Sequence, residues 1–202
     1  MSVCIVGSSN NILDVELGHV IDSHDVVIRV NCFITQGYEK HVGTKISIIS
    51  CMFGSDDFLE ITDKRCPGNP IRDLLKDKNC TVWMPNPDVK RYHRMIRSGP
   101  TPDRCTVIDS KSYGYLVNVI YKDWGRKIPS SGISTIMMAL NIFMGKTISI
   151  VGFDNNTGKE GKGHYYDPEW TFDTPGEVSG HDWQSENMFI ESLVQNNYLV
   201  RL

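Results

Sequence analysis

Short runs of apolar, often β-branched residues alternate along the chain with longer segments in which apolar residues recur with a helical period. Apolar runs of about four to eight residues are typical of strands, whereas longer periodic segments are typical of amphipathic helices. Strands are predicted at residues 3–7, 25–31, 45–51, 81–85, 105–109, 147–153 and 198–202. Helices are predicted at residues 69–78, 87–97, 111–122, 131–144 and 183–196. This alternation of strands and helices predicts an α/β fold.

Most of the predicted strands are continuous apolar runs, as in VCIVG and KISIISC, rather than alternating ones. Strands of that kind are buried on both faces, as in a parallel sheet that is covered by helices. The pattern therefore predicts a mostly parallel sheet of about seven strands flanked by helices, in a single domain that spans residues 1–202. Residues 154–182 form the longest stretch without a predicted element, and long loops in compact domains often carry function.

Composition narrows the class of protein without identifying its function. The 202-residue chain is 40% hydrophobic and 22% charged, with a net charge of −3, so its charge does not favour a nucleic acid as partner. The sequence shows neither a signal peptide nor an apolar run long enough to span a bilayer. Its six cysteines are scattered without CxxC or zinc-finger spacing, so we expect free thiols and a soluble, cytoplasmic protein.

Small polar residues follow the first predicted strand, where Gly7 leads into Ser8, Ser9, Asn10 and Asn11. Ligands of a doubly wound sheet bind at the carboxyl ends of its strands, beside helix N-termini. Ser and Asn side chains can hydrogen-bond a phosphate there, but they are also the usual N-cap residues of a helix. The segment lacks both GxGxxG and a P-loop lysine, so the two interpretations stay open.

Two further strand exits carry suitable side chains. The strand at 25–31 ends in Asn31, which could bind a ligand or simply form a turn. Ser130, Ser131 and Gly132 come directly before an apolar helix, with Ser130 or Ser131 as its expected N-cap. The N–H groups at such a helix N-terminus favour an anion, although a plain capped core helix has the same sequence.

Two histidines stand close to carboxylates: His164 in HYYD (164–167) and His181 in HDWQSE (181–186). From their residue types alone, three interpretations stay open: the two histidines are metal ligands, buried structural residues, or an acid and a base of one reaction. Zinc is disfavoured because the pair lacks HExxH spacing and has no cysteine nearby. A clear DxD for Mg²⁺ or Mn²⁺ is also missing, since SDD at 55–57 has adjacent acids. We therefore expect neither a metal nor a cofactor.

Together these segments resemble glycosyltransferase family 29, the sialyltransferases. The family's large motif resembles residues 3–45, from VCIVGSSNNIL to the HVGTK segment, and its small motif resembles residues 129–154, from PSSG to GFD. The third motif is similar to HYYD, and the very small motif is similar to His181 and Glu186, which four residues separate. The motifs occur in the family's order over nearly the whole chain. The resemblance implies a Rossmann-like, mostly parallel sheet in the GT-A-like variant of the sialyltransferases.

The resemblance also implies an inverting, metal-independent transfer of sialic acid from CMP-sialic acid to an acceptor hydroxyl, with a galactoside as the expected acceptor. It places His181 as the catalytic base and His164 at the departing phosphate. An imidazole suits the role of base because its ordinary pKa of about 6.5 leaves it mostly neutral near pH 7. Asp182 and Glu186 could orient His181 or could tie down the loop backbone. The residues expected to bind the CMP donor are Ser8, Ser9, Asn11, Asn31, Ser130, Ser131 and Gly132.

Departures from the family pattern limit what the resemblance implies. Val3 and Phe143 stand at the positions of the two cysteines that usually join the large and small motifs, so that disulfide is expected to be absent. Ser8 stands where the family usually has Asn, which alters one donor contact. The membrane anchor and stem of the Golgi enzymes are not seen in the sequence. A Golgi-lumenal location replaces the cytoplasmic one if such an anchor has been removed.

Other functions stay open as alternatives. A transferase that uses CMP-Kdo needs the same contacts to CMP and to a carboxylate, so the sequence does not separate it from a sialyltransferase. A degenerate, non-catalytic CMP-binding module is disfavoured by the presence of both His164 and His181. A Rossmann dehydrogenase or methyltransferase is disfavoured because GxGxxG is absent and Asn31 stands where a ribose-binding acid is expected.

Overall fold

Strands and helices alternate along the chain in the computed structural model, which describes residues 1–120, 128–153, 162–171 and 180–202. The strands are β1 (Ser2–Val6), β2 (Val26–Val30), β3 (Ile48–Ser50), β4 (Thr81–Met84), β5 (Cys105–Val107), β6 (Thr147–Val151), β7 (Lys162–His164), β8 (Asp167–Thr171) and β9 (Val200–Arg201). The α-helices are α1 (Gly18–Asp22), α2 (Glu39–Val42), α3 (Phe58–Arg65), α4 (Ile71–Lys76), α5 (Val89–Arg97), α6 (Ser110–Ile120), α7 (Ser131–Ile142) and α8 (Trp183–Gln195). Short 3₁₀ turns cover Asn10–Asp14 and Pro102–Arg104. Within these residues, no helix has the length and apolarity needed to cross a membrane.

Seven of the strands form one sheet in the order β5-β4-β3-β2-β1-β6-β9, while β7 and β8 form a separate hairpin. Every neighbouring pair in the large sheet runs parallel. These are the seven strands that the apolar runs predict, so the expected α/β fold with a mostly parallel sheet is confirmed. Strands β2 to β5 lie on one side of β1, and the later strands β6 and β9 lie on its other side. The strand order therefore reverses at β1.

Alternate residues of each strand pack on opposite faces of the sheet. On β1, Val3 and Ile5 belong to one apolar cluster, whereas Cys4 and Val6 belong to another. The first cluster includes residues of α6, α7 and α8, and the other face is covered by residues of α1, α2, α4 and α5. This burial of both faces explains why the strands are continuous apolar runs in the sequence.

The longer helices follow the predicted pattern, but the short elements do not. The helices predicted at 69–78, 87–97, 131–144 and 183–196 correspond to α4, α5, α7 and α8, and α6 occupies the described part of 111–122. The sequence pattern does not predict α1, α2 and α3, of which the first two have only five and four residues. It also misses the β7–β8 hairpin, because the strand sequences KGH and DPEWT contain no apolar run.

All six cysteines are free thiols in the structure, and four of them are buried. Burial raises the pKa of the Cys4 thiol to about 12, because a thiolate inside the core would lose its hydration. Val3 and Phe143, at the positions of the family's two bridging cysteines, both belong to the apolar cluster that includes α7. Apolar packing therefore stands where the family usually has a disulfide.

Candidate active site

The carboxyl ends of β1 and β6 meet where the strand order reverses. The N–H group of Gly7 donates to the carbonyl of Val151 at 2.8 Å, and a Cβ built on Gly7 would lie 2.2 Å from the Gly152 carbonyl oxygen. Gly152 has a φ of 71°, in the left-handed region that favours glycine. The two glycines thus let the backbones approach closely. In open parallel sheets, such a reversal leaves a crevice in which ligands bind.

A cavity of about 530 Å³ opens at this crevice, and its volume is typical of a small-molecule site. Most of the predicted donor-binding and catalytic residues line it, although they come from distant parts of the chain. These lining residues are Ser8, Asn31, Ser130, Ser131, Gly132, His164 and His181. The structure therefore brings together the two strand exits, the α7 N-terminus and both histidines.

Asn31 follows β2 with a backbone conformation that is uncommon for a residue other than glycine. Its φ is 54°, in the left-handed region, and asparagine is one of the residues that tolerate this region best. Its N–H group donates to the Ser50 carbonyl at 2.8 Å, which extends the pairing of β2 with β3 by one residue. Residues held in such conformations cluster at functional sites, so both the turn and the ligand-binding interpretation fit Asn31.

His164 lies on the β7–β8 hairpin and contacts the exit of β1. Its Nδ1 atom is 2.6 Å from the Ser8 Oγ atom, and its ring stacks on Tyr166 with 5.1 Å between the ring centroids. The backbone joins the same two segments, since the Tyr165 N–H group donates to the Ser8 carbonyl at 3.0 Å. The hairpin is therefore fixed against the strand exit that carries Ser8.

Burial lowers the pKa of His164 to about 4, because the charged imidazolium would lose its hydration, while Asp167 nearby partly opposes this shift. The ring is consequently neutral near pH 7. A neutral imidazole has one N–H donor and one nitrogen acceptor. If the Ser8 hydroxyl donates to Nδ1, the proton of the ring resides on Nε2, and this N–H group is suited to hydrogen-bond an anion.

Ser130 caps the N-terminus of α7, as expected for a serine that precedes an apolar helix. Its Oγ atom accepts a hydrogen bond from the Ile133 N–H group at 3.3 Å. Ser131 and Gly132 follow in the first turn and line the cavity. A Cβ added to Gly132 would lie 3.0 Å from the Phe153 ring, so glycine keeps this turn compact. The first turn of α7 thus lies at the cavity, and the free N–H groups of a helix N-terminus are suited to bind an anion.

Glu186 of α8 holds the cap of α7. Its carboxylate is fully buried and accepts hydrogen bonds from the Ser130 N–H group at 2.8 Å and from the Ser130 hydroxyl at 2.5 Å. Asp182 caps α8 itself, accepting from the Ser185 N–H group at 3.1 Å. Both carboxylates therefore bind groups at helix N-termini, which is one of the two roles left open by the sequence.

His181 is the residue immediately before the α8 cap. Its Nδ1 atom lies 2.7 Å from the Ile128 carbonyl oxygen, and a carbonyl oxygen only accepts, so Nδ1 carries the proton in the neutral ring. The Ile128 N–H group donates to the Gly180 carbonyl at 2.8 Å, and the imidazole meets the Trp183 ring edge-on with centroids 5.0 Å apart. These contacts orient the ring and make Nε2 its basic nitrogen.

Ser9 and Asn11 lie beside the cavity residues but in different surroundings. The Ser9 N–H group donates to the Gly152 carbonyl at 3.1 Å, and Ser9 forms an isolated antiparallel bridge with His164. Asn11 is exposed and lines a separate, smaller pocket of about 200 Å³. Neither Ser9 nor Asn11 is among the residues that line the larger cavity, and their contacts with the donor stay predictions.

The sequence pattern misses one wall of the cavity. Phe58, Ile61, Thr62 and Arg65 of α3 line it, together with Asp167 of β8. Their signal is a spacing of three and four residues on one helix, which is visible only when α3 is recognised as a helix.

Within the described residues, no three or more His, Cys, Asp or Glu side chains form a group that could bind a metal ion. Metal independence of the reaction stays a prediction.

Comparison with known proteins identifies the family. The model of "Glycosyltransferase family 29 (sialyltransferase)" matches residues 2–57 and 72–198. Similar proteins include the lactosylceramide alpha-2,3-sialyltransferase of Homo sapiens, 25% identical over 190 residues that cover 82% of this chain and 44% of the relative. The alpha-N-acetylgalactosaminide alpha-2,6-sialyltransferase 1 of Gallus gallus is 26% identical over 198 residues, covering 84% of this chain and 35% of the relative. The chain thus spans less than half the length of these curated relatives.

A solved structure has the same fold. The crystal structure of a mammalian sialyltransferase in complex with Gal-beta-1-3GalNAc-ortho-nitrophenol is similar with a TM-score of 0.70 and 19% sequence identity, over 100% of this chain and 68% of that chain. At this identity the likeness concerns the fold alone. The family model, in contrast, matches the sequence from β1 to α8 except for residues 58–71, and the chain therefore belongs to glycosyltransferase family 29, the sialyltransferases.

Proposed function

We propose that the chain is an inverting, metal-independent sialyltransferase that transfers sialic acid from CMP-sialic acid to a hydroxyl group of a galactoside. The observation that carries the proposal is the cavity at the strand reversal, where His164 and His181 lie beside the N-terminus of α7. Family membership supports the reaction class. Relatives named for lactosylceramide and beta-galactoside acceptors support a galactoside.

The donor binds through its anionic groups at the N-terminus of α7. The free N–H groups of a helix N-terminus and the helix dipole favour a phosphate or carboxylate, and Ser130, Ser131 and Gly132 supply that end of the cavity. Asn31 and Ser8 add side chains that hydrogen-bond the CMP moiety. His164 donates a hydrogen bond to the phosphate, and its pKa rises when the anion binds, because a nearby negative charge favours the imidazolium.

The acceptor is deprotonated by His181. The proton of the acceptor hydroxyl moves to Nε2 of the ring as the acceptor oxygen bonds to the anomeric carbon of the sugar. The bond from that carbon to the phosphate oxygen breaks, and CMP leaves with the electron pair from the opposite face, so the configuration inverts. The Ile128 carbonyl holds the ring in the tautomer that this step needs, and His164 stabilises the charge that develops on CMP.

Steady-state kinetics with CMP-sialic acid and lactose, measured with and without EDTA, test the proposal. We expect His181→Ala to lower kcat by about 10²–10⁴-fold, since general base catalysis contributes that much, and to leave CMP affinity nearly unchanged. His164→Ala should lower kcat and also weaken CMP binding. His19→Ala, an exposed histidine on α1, is the matched control and should behave as the unmodified protein.

Three results would contradict the proposal in different ways. Loss of activity in EDTA that Mn²⁺ restores would exclude the metal-independent mechanism. Transfer from CMP-Kdo but not from CMP-sialic acid would show that the donor sugar is Kdo, while the proposed type of reaction would stand. CMP binding without turnover of either donor would identify a non-catalytic module.

A further inference from the structure

One face of α3 forms a wall of the cavity. Phe58, Ile61, Thr62 and Arg65 all line it, and their spacing of i, i+3, i+4 and i+7 places them on the same side of the helix. The wall is exposed at two of these positions, Ile61 and Arg65. It presents an aromatic ring, an aliphatic side chain, a hydroxyl and a guanidinium in succession along the cavity.

Contacts at two positions fix α3 in place. The Phe58 ring packs on Phe53 with 4.8 Å between the ring centroids. Thr62 is buried and lines the cavity together with Cys32, which lies two residues beyond the end of β2. Because Phe58 and Thr62 lie on the same face of α3 as Arg65, their packing fixes the part of the helix from which Arg65 extends.

The α3 wall lies outside the part of the chain that follows the family pattern. The family model matches residues 2–57 and resumes at 72, so it omits all of α3. The two histidines and the first turn of α7 lie within the matched part. The relatives are named for the same transferred sugar but for different acceptors, lactosylceramide and N-acetylgalactosaminide among them. A cavity wall outside the shared pattern fits the part of the reaction that differs between members, which is the acceptor.

Charge on the wall indicates what kind of acceptor fits. Among the described residues that line the cavity, Arg65 and Asp167 are the side chains with a permanent charge. Arg65 belongs to none of the ion pairs found in the described part of the chain, whereas its neighbour Asp63 pairs with Arg72 at 2.5 Å. An arginine guanidinium binds a carboxylate through two parallel hydrogen bonds.

We propose that α3 is the acceptor-binding wall and that Arg65 binds a carboxylate carried by the acceptor glycan. This inference rests on the proposed function, since it assigns the second substrate of the same cavity. The acceptor is then a galactoside whose neighbouring sugar is acidic, such as a uronic acid. Phe58 and Ile61 contact the apolar face of that sugar while Arg65 holds its carboxylate.

Transfer to two matched disaccharides tests the role of Arg65. One is methyl β-lactoside, and the other is the same disaccharide with its glucose oxidised to glucuronic acid. We expect the unmodified protein to prefer the acidic disaccharide by about tenfold or more in kcat/KM, as hydrogen bonds to a charged group allow. Arg65→Gln should abolish the preference mainly by raising KM for the acidic acceptor, Arg65→Lys should keep part of it, and Lys64→Gln, an exposed neighbour on α3, should keep all of it.

Release of CMP from CMP-sialic acid without acceptor reports on the donor side separately. If Arg65→Gln raises KM for the donor in that reaction, Arg65 binds the donor and the inference is wrong. It is equally wrong if the unmodified protein does not prefer the acidic acceptor, or if the variant loses both acceptors alike. If the protein transfers sialic acid from CMP-sialic acid to neither disaccharide, the proposed function fails. Calorimetric binding of the two disaccharides to CMP-loaded protein then still decides whether Arg65 selects the carboxylate.

Discussion

His164 and His181 differ in what surrounds their rings, and this difference separates their chemistry. His164 is held between the Ser8 hydroxyl and the Tyr166 ring, and burial lowers its pKa to about 4. His181 donates to the Ile128 carbonyl from a half-buried position beside Trp183. When Nδ1 of the first ring accepts from Ser8, its Nε2–H group can donate a hydrogen bond to an anion, whereas the second ring can accept a proton on Nε2. The proposed reaction would therefore use one residue type for two purposes, distinguished by the local contacts of each ring.

The lowered pKa of His164 predicts a pH dependence of stability. The unfolded chain takes up a proton at this histidine near pH 6.5, whereas the folded protein takes it up only near pH 4. The free energy of unfolding should therefore be unaffected by His164 above about pH 7 and should fall by about 1–3 kcal/mol as the pH drops from 6.5 to 4. Urea unfolding across this pH range measures the free energy of unfolding of the unmodified protein and of His164→Asn. Subtracting one curve from the other removes the effect of the other titrating groups. Parallel curves for the two proteins would contradict the assignment.

Residue-level prediction from the sequence succeeds where a residue type has a local reason for its place. Ser130 precedes an apolar helix and is its N-cap, as expected from the preference of serine for that position. Glu186 is different, because its partner Ser130 is 56 positions away. The sequence could identify Glu186 as important but could not show whether it binds His181 or a backbone group. That choice depends on how α7 and α8 pack.

One buried carboxylate joins helices α7 and α8, and this contact fixes the N-terminus of α7 relative to α8. Glu186 on α8 accepts both the N–H group and the hydroxyl of Ser130 at the start of α7. His181, which precedes α8, lines the same cavity as Ser130 and the residues after it. The same contact therefore sets the place of the α7 N-terminus relative to the element that carries His181.

Glu186→Gln should lower the free energy of unfolding by about 1–3 kcal/mol, because the amide places a donor where the carboxylate accepts two hydrogen bonds. It should also weaken CMP binding, since the first turn of α7 shifts. Glu191→Gln on the same helix is the control: Glu191 is exposed and pairs with Arg201, and surface pairs contribute little. Urea unfolding and calorimetry with CMP measure both effects. Equal losses in the two variants would show that the buried link does not hold the helix N-terminus.

Prediction at the element level depends on length and burial. The seven sheet strands are recognised because burial on both faces makes them continuous apolar runs, and α7 is recognised because it is apolar over three turns. Helix α3 is missed because its eight residues carry charges and only part of one face is apolar. The β7–β8 hairpin is missed because its position is set by contacts with Ser8 and Ser9 on a distant strand exit. Elements that are fixed by distant partners leave little local signal.

The cavity is assembled from distant parts of the chain. Ser8 and His164, which are in contact, are 156 positions apart, and the cavity also draws on α3, α7 and the residue before α8. None of these segments forms the site alone, and all of them converge because the strand order reverses at β1. A ligand of this cavity therefore binds the folded state and should have no comparable site on the unfolded chain.

CMP should for this reason stabilise the whole protein against unfolding. At a hundred times its dissociation constant, a ligand that binds only the folded state adds about 2.7 kcal/mol, which for a chain of this size raises Tm by about 5–10 °C. Differential scanning calorimetry with CMP measures the shift, and UMP tests whether the base is recognised. Arg65→Gln should show the same shift as the unmodified protein, because Arg65 is assigned to the acceptor, whereas Glu186→Gln should show a smaller one at equal CMP. A shift that disappears in Arg65→Gln but persists in Glu186→Gln would reverse the assignment of the two sides of the cavity, placing the nucleotide against α3 instead of the N-terminus of α7.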